Sequence, residues 1–375
     1  MDFTWSPAQG KTYDRIVDGA RDLPPDGPGP FGTERWRRCG DLGVLGLSVP
    51  EEYGGQGLGV LDTARAAEAF GLGHSDMGLV FAAMAHLYAC VMPIAEHGDD
   101  GMRSRMLPRL TAGEWIGANA ITEAEAGSDV TALRTRAVRE GDEYVLDGVK
   151  TFVSNGPAAD VFLVYAVSDP TLGHLGVSAF AVERDRPGAV PGPPFDKLGL
   201  HSCPAGELRL DGCRVPVRNL VGAEGQGAAV FQSSMRWERT CLFAAYLGMM
   251  DRLVERCVGH AGDRRQFGRP IGANQAVSHR IADMKLRLEA ARMLLYRACW
   301  ALDRGEPATL EVSMAKVAIS EAAVQAGLDG LQIFAGAGYQ EETGIAAALR
   351  DALPSTIFSG TSEIHRELIA KELGL

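Results

Sequence analysis

The 375-residue chain has no Cys-x-x-Cys pair, and its seven cysteines (39, 90, 203, 213, 241, 257 and 299) form an odd, scattered set. That pattern argues against a disulfide framework and suits reduced thiols in the cytoplasm. The eight histidines show no HExxH or other ligand spacing, so no metal is expected. No Gly-x-Gly-x-x-Gly opens a βα unit, and neither a Walker A sequence nor a Gly-x-Ser-x-Gly elbow is present. A Rossmann nicotinamide site, a P-loop and an α/β-hydrolase nucleophile therefore have no support. Basic residues are also short: 37 Lys and Arg face 48 Asp and Glu, for a net charge of −11. A nucleic-acid binder needs a basic face to meet phosphates, so that class is disfavoured. The start, Met-Asp-Phe-Thr-Trp-Ser-Pro, lacks the basic and apolar regions of a signal peptide. Residues 77–95 carry no Lys, Arg, Asp or Glu, close to the roughly 20 apolar residues of a membrane span. His86, Pro93 and Gly78 within it, and its helical surroundings, favour a buried helix and no membrane.

What is present is an average globular composition, 46% hydrophobic and 23% charged, in a chain long enough for two or three domains. Residues 1–115 look helical, with Gly/Pro punctuation at 23–32 and 53–59. From 116 to 222 the texture changes to short β-branched and aromatic runs: 143–146, 161–167 and 177–182. Asp147-Gly148 and Asp211-Gly212 are hairpin-type turn signals beside them, and no helical pattern separates the runs, which favours antiparallel pairing. Helix returns over 223–375. Val277, Ile281, Met284, Leu288, Ala291, Leu295, Ala298 and Leu302 make one apolar stripe, with Arg280, Asp283, Arg287 and Arg292 on the polar face and a stop at Asp303-Arg304-Gly305. The expected class is α+β: a helical domain (1–115), a β domain (116–222) and a second helical domain (223–375).

Three segments carry polar groups suited to a cofactor. Ala120–Asp129 and Thr151–Gly156 combine hydroxyls with glycines that permit close backbone approach. Asp263–Gly268 supplies arginines for a pyrophosphate. Alone, the first two read as turns and the third as a solvated helix end. Together, and in this order with Asp196–Leu200, Gly222–Gly227, Gln332–Tyr339 and Phe358–Ile364, they resemble the acyl-CoA dehydrogenase superfamily over nearly the whole chain. The resemblance implies that family's fold, with a C-terminal four-helix bundle, FAD and a homotetramer. It places Thr122, Ser128, Phe152 and Ser154 along the flavin ring and its ribityl-phosphate arm. It assigns Arg264, Phe267, Gln275, Gln332 and Gly336 to the adenosine half, partly across a subunit boundary. Thr361 and Glu363 belong to a C-terminal loop that also touches FAD.

The family's reaction needs a base that takes the α-proton of an acyl thioester while a hydride leaves the β-carbon for the flavin. Most members place a glutamate directly before the Gly-Thr of the C-terminal loop; this chain has Ser359 there. An un-ionised hydroxyl is a poor base, so either catalysis is lost or the carboxylate has moved. Glu238, in Met235-Arg236-Trp237-Glu238-Arg239, lies where the isovaleryl and long-chain branches carry theirs. Partial desolvation, with Trp237 alongside, strengthens such a base toward substrate. The backbone N–H of Ser359 remains available to polarise the thioester carbonyl.

The stretch His201–Glu207 departs from the family's hydroxyl-bearing CoA motif. Residues around Glu238, Thr361, His86, Cys203 and Asp283 resemble the prolyl-carrier-protein dehydrogenases of pyrrole biosynthesis. That likeness implies L-proline held as a thioester on a peptidyl carrier protein, oxidised twice to pyrrole-2-carboxyl thioester. An electron-transferring flavoprotein or oxygen would receive the electrons. The alternatives are a short- or branched-chain acyl-CoA dehydrogenase using the same Glu238, and a flavin-binding scaffold without catalysis. Arg239, Trp237, His86 and Ser359 are the expected pocket residues; His86 is otherwise a core histidine, and Cys203 is not expected to act as a nucleophile.

Overall fold

The computed structural model describes residues 4–24 and 31–375, so most of the expected punctuation at 23–32 lies outside the described residues. Ser6 and Gln9 close a reciprocal capping box that opens α1 (Pro7–Arg21). α2 (Thr33–Leu42), α3 (Val60–Gly73), α4 (Met77–Ala85), α5 (Met92–His97) and α6 (Asp100–Thr111) complete the first helical region. A π-turn, His86–Val91, joins α4 to α5, so 77–97 runs as one helix. It is long and apolar enough to cross a membrane, yet it is almost wholly buried by the rest of the protein.

Eight strands follow: β1 (Gly117–Ala120), β2 (Arg136–Glu140), β3 (Glu143–Ser154), β4 (Val161–Val167), β5 (Val177–Glu183), β6 (Ala189–Pro191), β7 (Ala205–Pro216) and β8 (Leu220–Val221). They form one sheet in the order β6-β7-β3-β2-β4-β5-β8, with β1 added against β4. Most pairs are antiparallel, as expected; β1 on β4 is parallel, and β2 meets β4 in parallel at a single position. The continuous apolar run of β4 is buried from Val161 to Ala166 because helices and neighbouring strands cover both faces. The two Asp-Gly pairs are not hairpin turns. They oppose one another inside β3 and β7, at a register shift between Leu146 and Gly148, where the Asp147 carboxylate accepts from the Gly212 N–H at 2.7 Å. A side chain at Gly148 would strike Thr135, so glycine there serves close approach within a bulge. The turn between β2 and β3 falls instead at Gly141-Asp142.

The final region comprises α7 (Gly227–Trp237), a second π-turn (Glu238–Leu242), α8 (Phe243–Asp263), a short hairpin of β9 (Arg265–Gln266) and β10 (Arg269–Pro270), α9 (Gln275–Asp303), α10 (Thr309–Phe334), α11 (Ile345–Ala352) and α12 (Ser362–Glu372). α10 packs against α8, α9 and α12, and α3 packs across α8 and α9. Gly71 and Gly248 permit that crossing; a Cβ on either would lie 2.0 Å from a carbonyl oxygen of the other helix. The apolar stripe of α9 faces this core, with Met284, Leu288, Ala291, Leu295 and Ala298 buried. Three arginines of its polar face are paired with carboxylates. Arg292, partly buried, pairs with Glu68, Asp251 and Glu289, and Arg280 and Arg287 both pair with the buried Asp329. The Asp303 carboxylate at the end of α9 caps α3 from outside, accepting from the Val60 and Leu61 N–H groups at 2.6 and 3.0 Å. Asp303→Ala is expected to cost about 1 kcal/mol. Hydrogen-exchange mass spectrometry should then show faster exchange confined to the first turn of α3.

Candidate active site

The two π-turns pack against one another, and the first also packs on β1. A π-turn inserts an extra residue into a helix, redirecting the side chains that follow, and such turns recur at functional sites. Glu238 begins the second one. Its carboxylate lies on the wall of a cavity of ≈ 430 Å³, lined by residues of α4, the first π-turn, β1, the loop 121–130, β3, α7 and the loop 357–361. Thr122, Ser128, Phe152, Ser154 and Thr361 share that wall, as does Ser359.

Glu238 is held at both oxygens. The Ser234 hydroxyl, one turn earlier on α7, donates to Oε1 at 2.9 Å, and the Ser359 hydroxyl donates to Oε2 at 2.8 Å. Burial pushes the carboxyl above the usual carboxylate range; the two hydroxyls, the nearby Arg239 and the Asn119 side chain oppose that rise without cancelling it. The result is a carboxylate held in place and strengthened as a base by desolvation. Ser359 sits in left-handed backbone (φ 55°). Its carbonyl accepts from Arg239 Nε at 3.0 Å and lies 3.2 Å from His365 Nε2, which fixes the loop. Since the Ser359 hydroxyl favours the ionised form of Glu238, Ser359→Ala raises that pKa further. The acidic limb of the rate–pH profile for flavin reduction should move to higher pH, because the base must be ionised to act; a limb that stays in place would contradict the contact's role.

A buried pair positions the loop 121–128. Lys150 on β3 donates to Glu123 at 2.7 Å and to the Ile121 carbonyl at 3.1 Å, while Glu123 accepts from the Arg134 and Thr135 amides. The Thr151 N–H to the Thr122 carbonyl, at 2.8 Å, adds a further tie. Asn155, in left-handed backbone (φ 64°), donates to the carbonyls of Ala82 and Gly117, and so fastens the end of β3 to α4 and β1. The hydroxyls of this wall and the exposed ring of Phe152 have the chemistry to hold a flat heteroaromatic ring at its edge and face.

A second cavity of ≈ 440 Å³ adjoins the first, sharing Gly127, Ser128, Val130, Phe231, Met235 and Gly360. Arg236 and Arg239 line it, with the 306–309 turn and α12 opposite.

The acyl-CoA dehydrogenase N-terminal, middle and C-terminal domain patterns match residues 15–114, 118–213 and 225–374. The chain belongs to the acyl-CoA dehydrogenase family. Its fold of helices, a β-sheet and helices is that family's fold. An L-prolyl-[peptidyl-carrier protein] dehydrogenase from Pseudomonas fluorescens is 57% identical over 92% of this chain and 91% of its own. One of the same description from Serratia sp. is 42% identical over 100% of this chain and 99% of its own. A solved structure described as PigA with FAD and proline superposes with a TM-score of 0.96 at 41% identity, covering 100% of both chains.

Within this acyl-CoA dehydrogenase, two expected pocket residues lie elsewhere. His86 is fully buried, with Nδ1 accepting from the Gly117 N–H at 2.8 Å and Nε2 3.2 Å from the Leu110 carbonyl. Burial pushes its pKa down to about 3, so it is a neutral structural histidine bonded through both nitrogens to backbone. Trp237 also turns away: its indole stacks on Tyr88 and donates to Glu96 at 2.8 Å, tying α7 to α5. Desolvation of Glu238 comes instead from the apolar residues of the cavity wall. Arg239 lines the adjoining cavity and acts through Ser359. Arg264, Phe267, Gln275, Gln332 and Gly336 are exposed and lie outside the cavity, and Glu363 is exposed on the first turn of α12. Cys203 is buried, and burial pushes its thiol up to about 12, which suits no nucleophile. All seven cysteines are free and buried. Sequence reasoning missed Ser234 and Asn119. The first was signalled by its i, i+4 spacing to Glu238 on a helix; the second was a lone carboxamide in a strand of small residues.

Proposed function

We propose that the protein oxidises an L-prolyl group, held as a thioester on a peptidyl carrier protein, to pyrrole-2-carboxyl thioester, with Glu238 as the base. What carries this reading is the 2.8 Å contact between Glu238 and Ser359. The carboxylate absent from the loop reaches the same place from the end of α7, so a thioester lying over that loop presents its α-carbon to Glu238. Catalysis is thereby kept, which sets the scaffold reading aside. The two prolyl-carrier-protein relatives support the choice of acyl group.

The residues present fit FAD: hydroxyls of Thr122, Ser128, Ser154 and Thr361 and the face of Phe152 line the cavity beside Glu238. When bound, FAD supplies a two-electron acceptor next to the acyl group. Glu238 removes the α-proton, Ser234 and Ser359 hold its carboxylate, and Arg239 fixes the loop whose amide polarises the carbonyl. Two successive two-electron oxidations remove four hydrogens from the prolyl ring: the first takes the single α-hydrogen, the second takes its hydrogens from the remaining ring positions, and aromaticity favours it. The adjoining cavity offers the phosphopantetheine arm a path, with Arg236 and Arg239 as cations along it. An electron-transferring flavoprotein or oxygen takes the electrons onward.

The assembly in this reading is a cytoplasmic homotetramer. Phe267 at the hairpin tip is 99% exposed, apolar surface of the kind a second copy covers. Arg264, Gln275, Gln332 and Gly336 would there meet the adenosine half of FAD. The test is anaerobic mixing of the holoenzyme with prolyl-loaded carrier protein. Bleaching of the flavin, and a tethered acyl group four hydrogens lighter after turnover, are expected. No bleaching with that substrate, but rapid bleaching with isovaleryl-CoA, would make the protein an ordinary acyl-CoA dehydrogenase.

A further inference from the structure

The helix of α4 and the first π-turn gives the Glu238 cavity three lining residues, Phe81, Ala85 and Ala89, four positions apart and so on one face. The two alanines end at Cβ and leave a groove along the helix. Phe81, about 6 Å along the axis from Ala85, fills that groove. Phe358 closes on it from the loop 357–361, with ring centroids 4.7 Å apart. Since Phe358 directly precedes Ser359, whose hydroxyl holds the Glu238 carboxylate, this pair of rings stands close to the base. Phe358 is backed in turn by Phe243 and Tyr246, at 5.3 and 6.2 Å, both fully buried. The Tyr246 hydroxyl donates to the Asp351 carbonyl at 3.1 Å, which anchors the stack. Close-packed rings of this kind yield little to an oversized ligand. Phe81 keeps 8% of its surface open, so it meets the cavity directly.

We propose that Phe81, seated against Phe358, is the stop that limits the acyl group to a compact one, such as a five-membered ring, and turns away extended alkyl chains. The proposal rests on the reading of Glu238 as the base and names the acyl class that the same site takes. In a prolyl group the ring curls back on itself, and no ring atom lies more than two bonds from the α-carbon. The last carbon of a hexanoyl group lies four bonds away. With the α-carbon held at Glu238, that chain has to enter the space that Phe81 fills. The same cavity of ≈ 430 Å³ also receives the flavin ring along Thr122, Phe152 and Ser154, which leaves the acyl group only part of that volume. An apolar pocket discriminates by roughly 10- to 200-fold per methylene, and two superfluous carbons are enough for a clear preference.

The experiment measures first-phase flavin bleaching by prolyl-loaded and hexanoyl-loaded carrier protein, in wild-type holoenzyme and in Phe81→Ala. Phe81→Leu serves as a second variant in case alanine leaves the core too loose to fold. Wild type should bleach with hexanoyl at least roughly 10-fold more slowly than with prolyl. Phe81→Ala should raise the hexanoyl rate over wild type by roughly 10- to 100-fold, and Phe81→Leu by less. The readout is a gain of rate, because loosened packing alone lowers the rate with every substrate. Wild type that bleaches with hexanoyl as fast as with prolyl, or FAD-replete variants that gain nothing on hexanoyl, overturns the stop and leaves the prolyl function standing. Wild type that fails to bleach with prolyl removes that function, while the comparison of hexanoyl rates still decides the stop.

Discussion

Glu238→Gln is expected to slow anaerobic flavin bleaching by about 100- to 10,000-fold, the range a positioned general base supplies. Glutamine keeps the shape of the side chain and can still meet the Ser234 and Ser359 hydroxyls, so the loop 357–361 and the cofactor content should be unchanged. The loss should appear in the chemical step and leave carrier-protein affinity nearly as it was, because the amide removes only proton abstraction. In wild type the rate should fall as pH drops through a carboxyl pKa that burial holds above the ordinary range. In the variant that acidic limb should vanish. Near-normal bleaching by an FAD-replete Glu238→Gln enzyme would move the base elsewhere.

The largest effect on stability is expected from Lys150→Met. Lys150 is wholly buried, and its ammonium neutralises Glu123 beneath the loop that carries Thr122 and Ser128. Removing one partner of a buried pair strands the other charge and costs about 3–5 kcal/mol, whereas replacing both by apolar groups is often neutral. Lys150→Met should therefore lower the thermal midpoint and release FAD, and Glu123→Leu added to it should restore much of both. Burial raises the Glu123 pKa, but Lys150 and Thr135 outweigh burial and draw it below the usual value. A group whose folded pKa is lowered stabilises the protein above its unfolded pKa, and that contribution is lost as pH falls through the folded pKa. Wild type should thus lose stability on acidification over that window, and the double variant should lose less there. A single variant as stable as wild type would show the pair to be dispensable.

The order of helix, sheet and helix was legible because hydrophobic period changes visibly along the chain: the α9 stripe repeats every three or four residues, and β4 is one unbroken apolar run. Asp147-Gly148 and Asp211-Gly212 misled because a glycine that relieves crowding against Thr135 within a bulge carries the same local signal as one that turns a hairpin. Glu238 was singled out through the family resemblance, since Ser359 stands where most of that family carry a glutamate. Its hydrogen bond to Ser359 spans 121 residues, and no local pattern encodes such a contact. His86 and Trp237 failed for a related reason. A helix facing a pocket also faces the core, and only the partners chosen, backbone groups for His86 and Glu96 for Trp237, decide between them.

The central claim, that Glu238 takes the α-proton, is tested most directly without any oxidation. Holoenzyme reduced beforehand with dithionite no longer accepts hydride, but its base still acts. Incubated in D2O with prolyl-loaded carrier protein, reduced wild type and Ser359→Ala should exchange the α-hydrogen for deuterium, read as a one-unit mass gain on the tethered prolyl group. Reduced Glu238→Gln should not. Exchange by Glu238→Gln at the wild-type rate would contradict the account.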